Sequence, residues 1–449
     1  MSVSPTRRKK KKRKNLRYQP PSPMSLGILL AVTLAGIILP VAAGLGRGTA
    51  EPKPVQPTEV ETPEVADPTP TPTVTPTPYP EGSIESDLLF SGRGMTTDPN
   101  SITLLATGDN ICHTQLYEKA WLGDGYDFKP YYAGIKDFIS SVDIATVNQE
   151  SPMATALSGP SGFPRFNTPS AMGAALIDAG FDVINLGNNH IYDQGSEGAM
   201  LTKEYFDEHD TPSVGLYTNW DDIFDIRVIE KNGIKVAFVS FVEMTNHDPD
   251  GSQGDIVFLD DDTTVKKQLD AAKEVSDIIV AHVHWGEENT RELTDNQLER
   301  SQWLVDQGVD IIIGNHSHIL QKMTVLTRSS DGQKCPVAFS LGNFFSNQDH
   351  PDQLISALWV LSVTKDPESG EVYPDRMGVV PLVTHYSDAD RTDFALYPIC
   401  EYSADMANSH YANFSPLKKD GEVMSLEYIK QVFDETIPAR YINQLATLE

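Results

Sequence analysis

An α/β fold with strands buried on both faces is what this sequence predicts, and three observations carry it. Near-continuous apolar runs such as "DIIVAHVHW" and "DIIIGNHSH" alternate with amphipathic stretches of helical length. Proline and glycine fall where helix ends favour them. The apolar runs also end, one after another, in Asp, Asn, Glu or His, and polar groups at buried strand ends are costly without partners.

The first strand is "SITLLATGD", beginning near Ser101, and the second is "DIATVNQES". Between Pro169 and Gly180, "PSAMGAALIDAG" reads as a helix with proline at its start and glycine as its stop. Strand "DVINLGNNH", helix "EGAMLTKEYFDEH" and strand "IKVAFVSFVE" follow. Then come helix "TTVKKQLDAAKEVS", strand "DIIVAHVHW", helix "TDNQLERSQWLVDQG" and strand "DIIIGNHSH". After these, "CPVAFSLGNFF", "LISALWVLSVTK" and "RMGVVPLVTHY" have no long helices between them, which predicts an antiparallel portion. Loops and a terminal helix around "SLEYIKQVFDE" complete the chain.

The N-terminus is a different kind of sequence. A basic segment, residues 1–23, precedes the uncharged run 24–45, "MSLGILLAVTLAGIILPVAAGL". As a helix that run spans about 33 Å, enough for a hydrocarbon core of ~30 Å. With the basic block held on the cytoplasmic side, it predicts a single-pass signal anchor with everything after it outside. A cleaved signal is the rival, with "GTA" at 48–50 as its site, but its apolar region is usually only ~7–15 residues. Residues 46–95 include alternating Thr-Pro and hold too little apolar surface to fold, so they read as a disordered, semi-extended tether. The expected organisation is therefore anchor, tether, a folded domain over 100–402 and a C-terminal extension, 403–449, packed on it.

Charge narrows the partners. Residues 1–47 hold ten Lys or Arg and no acid, so the remaining 402 residues carry 25 bases against 63 acids, a net −38. Such a body repels nucleic acid at long range, and an anionic substrate needs local compensation, for which bound cations are the obvious source. The cysteines Cys112, Cys335 and Cys400 make neither a metal-spacing motif nor a disulfide framework. Cys335 with Cys400 is the pair that could bridge, though spacing does not establish it.

The chemistry gathers where the strands end, which is where open α/β sheets bind ligands. Asp109 ends the first strand, Asn148 and Glu150 the second, Asn189 and His190 the third. His282 and His284 end another, and His316 and His318 close "DIIIGNHSH". In an extended chain, residues two apart share a face, so the last pair is expected to point one way. Carboxylate, amide oxygen and imidazole suit Zn, Mn, Fe or Ni better than Ca or Mg, and the absence of cysteine among these ligands argues against a structural zinc. A metal centre is the expectation.

The blocks "GDNICH" (108–113), "NQE" (148–150), "NLGNNHIYDQG" (185–195), "HWGEE" (284–288), "GNHSHILQ" (314–321) and "FSLGNFF" (339–345) stand in an order that resembles the CapA-type capsule synthesis proteins. Those proteins are associated with poly-γ-glutamate capsule production and resemble calcineurin-like metallophosphatases. The resemblance covers residues 101–345 and implies a four-layer αββα sandwich with two divalent metal ions, Mn, Zn or Fe. By resemblance, Asp109 is the first-block aspartate, Glu150 the bridging carboxylate with Asn148 nearby, and Asn189 the metal-binding asparagine. His284, His316 and His318 resemble the remaining ligands, and His190 the histidine facing substrate. Two departures from the phosphatase pattern stand out. The histidine after Asp109 is four residues on, at His113, and the bridging residue is Glu instead of Asp. CapA-type proteins share both. His282 matches no family position. Asp193 either orients His190 or serves as a carboxylate at the next helix N-terminus, and Glu288 stays open between ligand and turn residue. The resemblance further implies an anionic polymer or its precursor as ligand, and polymer synthase or export membrane proteins as partners. A metal-dependent hydrolase, a non-catalytic binding partner and an extracellular phosphoesterase are the activities it leaves open.

Overall fold

The structure, a computed structural model, describes residues 99–251, 253–415 and 423–442. The expected basic segment, the apolar run 24–45 and the whole of the tether, 46–95, lie outside these residues. Among the described residues no helix is long and apolar enough to cross a membrane.

The apolar runs form the strands in chain order. They are β1 (Ser101–Asn110), β2 (Ile144–Gln149), β3 (Val183–Asn185), β4 (Ser213–Val214), β5 (Arg227–Lys231), β6 (Ile234–Val242) and β7 (Ile278–His284). Then come β8 (Ile311–Asn315), β9 (Met323–Thr327), β10 (Lys334–Ala338), β11 (Asn343–Phe345), β12 (Ile355–Lys365), β13 (Val372–His385) and β14 (Ala395–Pro398). One sheet has the order β14-β13-β12-β1-β2-β3-β4, with β11 beside β1; the other runs β5-β6-β7-β8-β10-β9. In the first, β1 to β4 are parallel and β12 to β14 antiparallel. In the second, β6, β7, β8 and β10 are parallel, with antiparallel β5 and β9 at the edges. The helix-poor tail gives the expected antiparallel portion in "LISALWVLSVTK" and "RMGVVPLVTHY", whereas "CPVAFSLGNFF" supplies β10 and β11, which pair in parallel with β8 and β1.

The two-residue period decides what faces what. Along β6, Val236 and Phe238 join the core shared with the first sheet, while Ala237, Val239 and Phe241 join a second core. That second core also takes Val265 and Leu269 from helix Asp262–Val275, and Leu304 and Val305 from helix Asp295–Asp306. In β7, Ile278 and Val280 face the first sheet and Ile279, Ala281 and Val283 face away. His282 and His284 continue the inward set. The result is two mixed sheets packed face to face with helices against them.

Helix ends follow local chemistry. Helix Ala171–Ala179 stops at Gly180, whose φ of 105° is open to glycine and lets its N–H close on the carbonyls of Ile177 and Leu176. Helix Asp295–Asp306 starts from a capping box between Thr294 and Gln297. At the far end, helix Leu426–Thr436 buries Ile429, Val432 and Phe433 in the main core, and Ile442 bridges to Val379 of β13. No disulfide joins Cys335 and Cys400.

Candidate metal centre

The parallel strands of both sheets end at the same place, and that convergence builds the site. Register pairs Asp109 with Asn148 across β1 and β2, and His284 with Asn315 across β7 and β8. Asp109 is fixed by its backbone, whose N–H donates to the Gly342 carbonyl at 2.9 Å. A Cβ on Gly108 would fall 1.8 Å from that same oxygen, so this approach demands glycine. Asn148 donates through Nδ2 to Asp109 Oδ1 at 2.7 Å and accepts from Asn185 Nδ2 at 2.9 Å. With both ends of its amide engaged, Asn148 positions Asp109.

Two overlapping groups of buried side chains can each hold a metal ion: Glu150 with His284 and His316, and Asp109 with Glu150 and His318. Glu150 belongs to both. His284 Nε2 lies 3.1 Å from His316 Nδ1 and 2.8 Å from Asn189 Oδ1. His318 Nε2 and His284 Nε2 are each 3.8 Å from Glu150 Oε1, and His318 Nδ1 is 3.6 Å from Asp109 Oδ2. Ligands about 2.0–2.1 Å from one ion stand roughly 3–3.5 Å apart in a tetrahedron, so the closest of these spacings need little adjustment.

The electrostatics describe a site built for a cation. Burial, and then the neighbouring Asp109 charge, push the Glu150 carboxyl well above its ordinary range. Burial also opposes a charge on His318, but the Glu150 carboxylate and Asp109 outweigh it and raise this imidazole to about 10. Burial and the adjacent His318 lower His316 to about 4, and burial with its two histidine neighbours takes His284 well below the usual value. His284 and His316 are therefore neutral, with lone pairs to give. Both oxygens of Glu150 are buried with no hydrogen-bond partner, an arrangement costing about 1–3 kcal/mol per atom and more for a charged one. His318 Nδ1 meets Asn343 Oδ1 at 3.0 Å, the outer hydrogen bond that orients a ligand imidazole and leaves Nε2 toward Glu150. The donor set fits a divalent ion.

His190 stands beside this cluster. Its Nδ1 bonds to Asp193 Oδ2 at 2.8 Å, and the same oxygen accepts the Phe166 N–H at 2.7 Å. Asp193 thus orients the imidazole, the first of its two expected roles. The Phe166 ring meets His190 edge-on at 4.8 Å, and Asn246 lies 3.3 Å from Nδ1.

Of the expected site residues, Asp109, Glu150, Asn189, His284, His316 and His318 converge, with His190 and Asp193 alongside. His113 and Glu288 are in neither group. His113 accepts the Asn347 N–H through Nδ1 at 3.3 Å and rests edge-on against Phe166. Glu288 is exposed, although its charge reaches Glu150, His316 and His318. His282 is a core residue, buried with Nε2 2.8 Å from Thr146 Oγ1 of the opposite sheet. The extended-chain reason given for the His316–His318 pair needs correction. β8 ends at Asn315, and both histidines adopt left-handed backbone, φ 98° and 60°, so a turn brings them inward. Sequence reasoning missed Asn343, Asn185, Asn246 and Phe166. The "LGN" shared by "NLGNNH" and "SLGNFF" signalled Asn343; for Asn246 and Phe166 no local pattern existed.

The family model described as "Bacterial capsule synthesis protein PGA_cap" matches residues 103–348. The capsule biosynthesis protein CapA of Bacillus anthracis is 34% identical over 182 residues, 39% of this chain and 42% of that protein. The PGA biosynthesis protein CapA of Bacillus subtilis (strain 168) is 29% identical over 175 residues, 38% of this chain and 44% of that protein. The matched stretch thus spans less than half the length of either relative. A 5'-nucleotidase from Candida albicans SC5314 superposes with a TM-score of 0.38 at 12% identity, over 76% of this chain and 58% of that one. With the family model covering more than half its length, this chain belongs to the bacterial capsule synthesis PGA_cap family.

Proposed function

We propose that this protein is a metal-dependent hydrolase acting on an anionic capsule polymer or its precursor, poly-γ-glutamate being the first candidate. It works outside the cell, tethered to the membrane by residues 24–45, in the synthesis, export or attachment of that polymer and beside a synthase or exporter. The observation that carries the reading is Glu150, whose two buried, unpartnered oxygens face imidazoles from the other sheet. Two divalent ions, Mn, Zn or Fe, fit the paired groups that share Glu150, and a four-layer αββα sandwich fits the two sheets. Asp109, Glu150, Asn189, His284, His316 and His318 would hold the ions. Bound there, divalent ions would make a water acidic and neutralise charge on the oxygens of the reacting centre.

The chain's own residues do the rest. Asn148 and Asn343 fix Asp109 and His318 so that neither side chain need reorganise. His190, oriented through Nδ1 by Asp193, presents Nε2 as the proton donor to a leaving group. Phe166 shields that imidazole from water on one side.

The test is His190→Asn, which keeps a polar side chain and removes proton transfer. A general acid contributes about 10²–10⁴-fold, so this variant should keep its metal and fold yet lose most turnover and most polymer output in cells. Normal output from cells whose sole copy carries His190→Asn would replace the hydrolase reading with that of a non-catalytic polymer-binding partner. Turnover of simple phosphomonoesters by the purified chain, with none on γ-glutamyl peptides, would favour an extracellular phosphoesterase.

A further inference from the structure

Of the eight arginines among the described residues, six pair with an aspartate: Arg227, Arg291, Arg300, Arg328, Arg376 and Arg391. Arg165 does not. In a body so rich in acid, it donates through Nε to His247 Nε2 at 3.1 Å, with Nη2 3.4 Å from the same ring. Its Nη1 edge has no acceptor among the described residues. That edge is a planar fork suited to a two-oxygen anion.

This side chain is exposed, but its loop is fixed from several sides. Ser161 and Asn167 exchange backbone hydrogen bonds at 3.0 and 2.8 Å, and Ser161 Oγ donates to the Arg165 carbonyl at 2.7 Å. Asn167 ties the loop to Ala154, Ser158 and Gly159. One residue on, Phe166 bonds to Asp193 and packs on His190. His247, the group Arg165 leans on, is 3.8 Å from Asp193 Oδ1, a buried oxygen with no hydrogen bond of its own. A cation is thus placed one residue from the ring that covers His190, on a loop with little freedom to move away.

We infer that Arg165, set by His247 and the 161–167 loop, is the recognition group for a carboxylate or phosphate carried by the substrate next to the bond that reacts at His190. This rests on the function proposed above and names what its substrate must carry. With a net charge of −38 outside the N-terminal segment, a cationic side chain beside the proposed metal ions adds local attraction for a polyanion that the rest of the surface repels.

The experiment measures binding, so that turnover does not enter. The full-length chain carrying His190→Asn is titrated calorimetrically with a short γ-linked oligo-glutamate, with glycerol phosphate, and with an oligo-glutamine of equal length. Adding Arg165→Gln should weaken one of the two anions about tenfold and leave the oligo-glutamine unchanged, with Arg165→Lys recovering part of the loss. The anion that weakens identifies the group, carboxylate or phosphate. Undiminished binding of both anions by Arg165→Gln overturns the assignment, as does an equal loss for oligo-glutamine, which would mean a deformed loop. Failure of the parent to bind either anion overturns it too. These outcomes are independent of whether His190→Asn abolishes polymer output, so either idea can fail alone.

Discussion

His316 and His318 sit in backbone that L-residues seldom adopt, and a strained conformation persists only where its surroundings over-determine it. Here the surroundings are Asp109, which accepts the His316 N–H at 3.1 Å, and Asn343 on the His318 ring. His316→Ala and His318→Ala should each lower bound metal, measured by elemental analysis of the purified chain, with the thermal unfolding of the chelated protein little changed. Ordinary core histidines would do the reverse, keeping metal and losing stability, and equal occupancy in all three proteins would dispose of the ligand assignment. At this scale the sequence was partly legible. A histidine or carboxylate at a strand end advertises itself by interrupting an apolar run. Asn246 and Phe166 interrupt nothing; they reach His190 from loops whose path no local pattern encodes.

Among the elements, strands were the most legible, because runs such as Ile311 to Ile313 bury both faces and can be little else. Shorter strands were not. β4 is Ser213–Val214 and has no periodicity to read, and β11 appeared only as the end of "SLGNFF". Which strands pair was also hidden, since β10 joins β8 while β11 crosses to β1. That crossing depends on Gly108 and Gly342 at their closest approach. Gly108→Ala should destabilise by about 3 kcal/mol or more, since its methyl meets a carbonyl in a strand turn that cannot yield as a side chain would. Urea denaturation is the measurement. A midpoint like that of the parent would show that β1 and β11 can separate without cost.

For the whole molecule, the N-terminal address makes a separate prediction. If residues 24–45 anchor the chain, it should fractionate with membranes, and protease added outside the cell should release a fragment beginning in the Pro/Thr tether. A free protein whose N-terminus lies near Glu51 would instead report a cleaved signal.

The division of the centre between sheets has a further result. Asp109, Glu150 and Asn189 follow strands of the first sheet, whereas His284, His316 and His318 follow strands of the second. Neither half is a binding site by itself. An ion shared between them would act as a rivet whose affinity exists only after the halves have docked, so saturation would feed directly into global stability. At a free-ion level a hundredfold above the dissociation constant, the native state gains about 2.7 kcal/mol. The melting temperature should therefore climb with added ion and fall with chelator, and a melt indifferent to both would separate the rivet from the fold. If the chain folds beyond the membrane, as proposed above, it would meet its metal and its final stability in the same compartment. Metal supply there, as much as synthesis of the polypeptide, would set how much working protein the envelope holds.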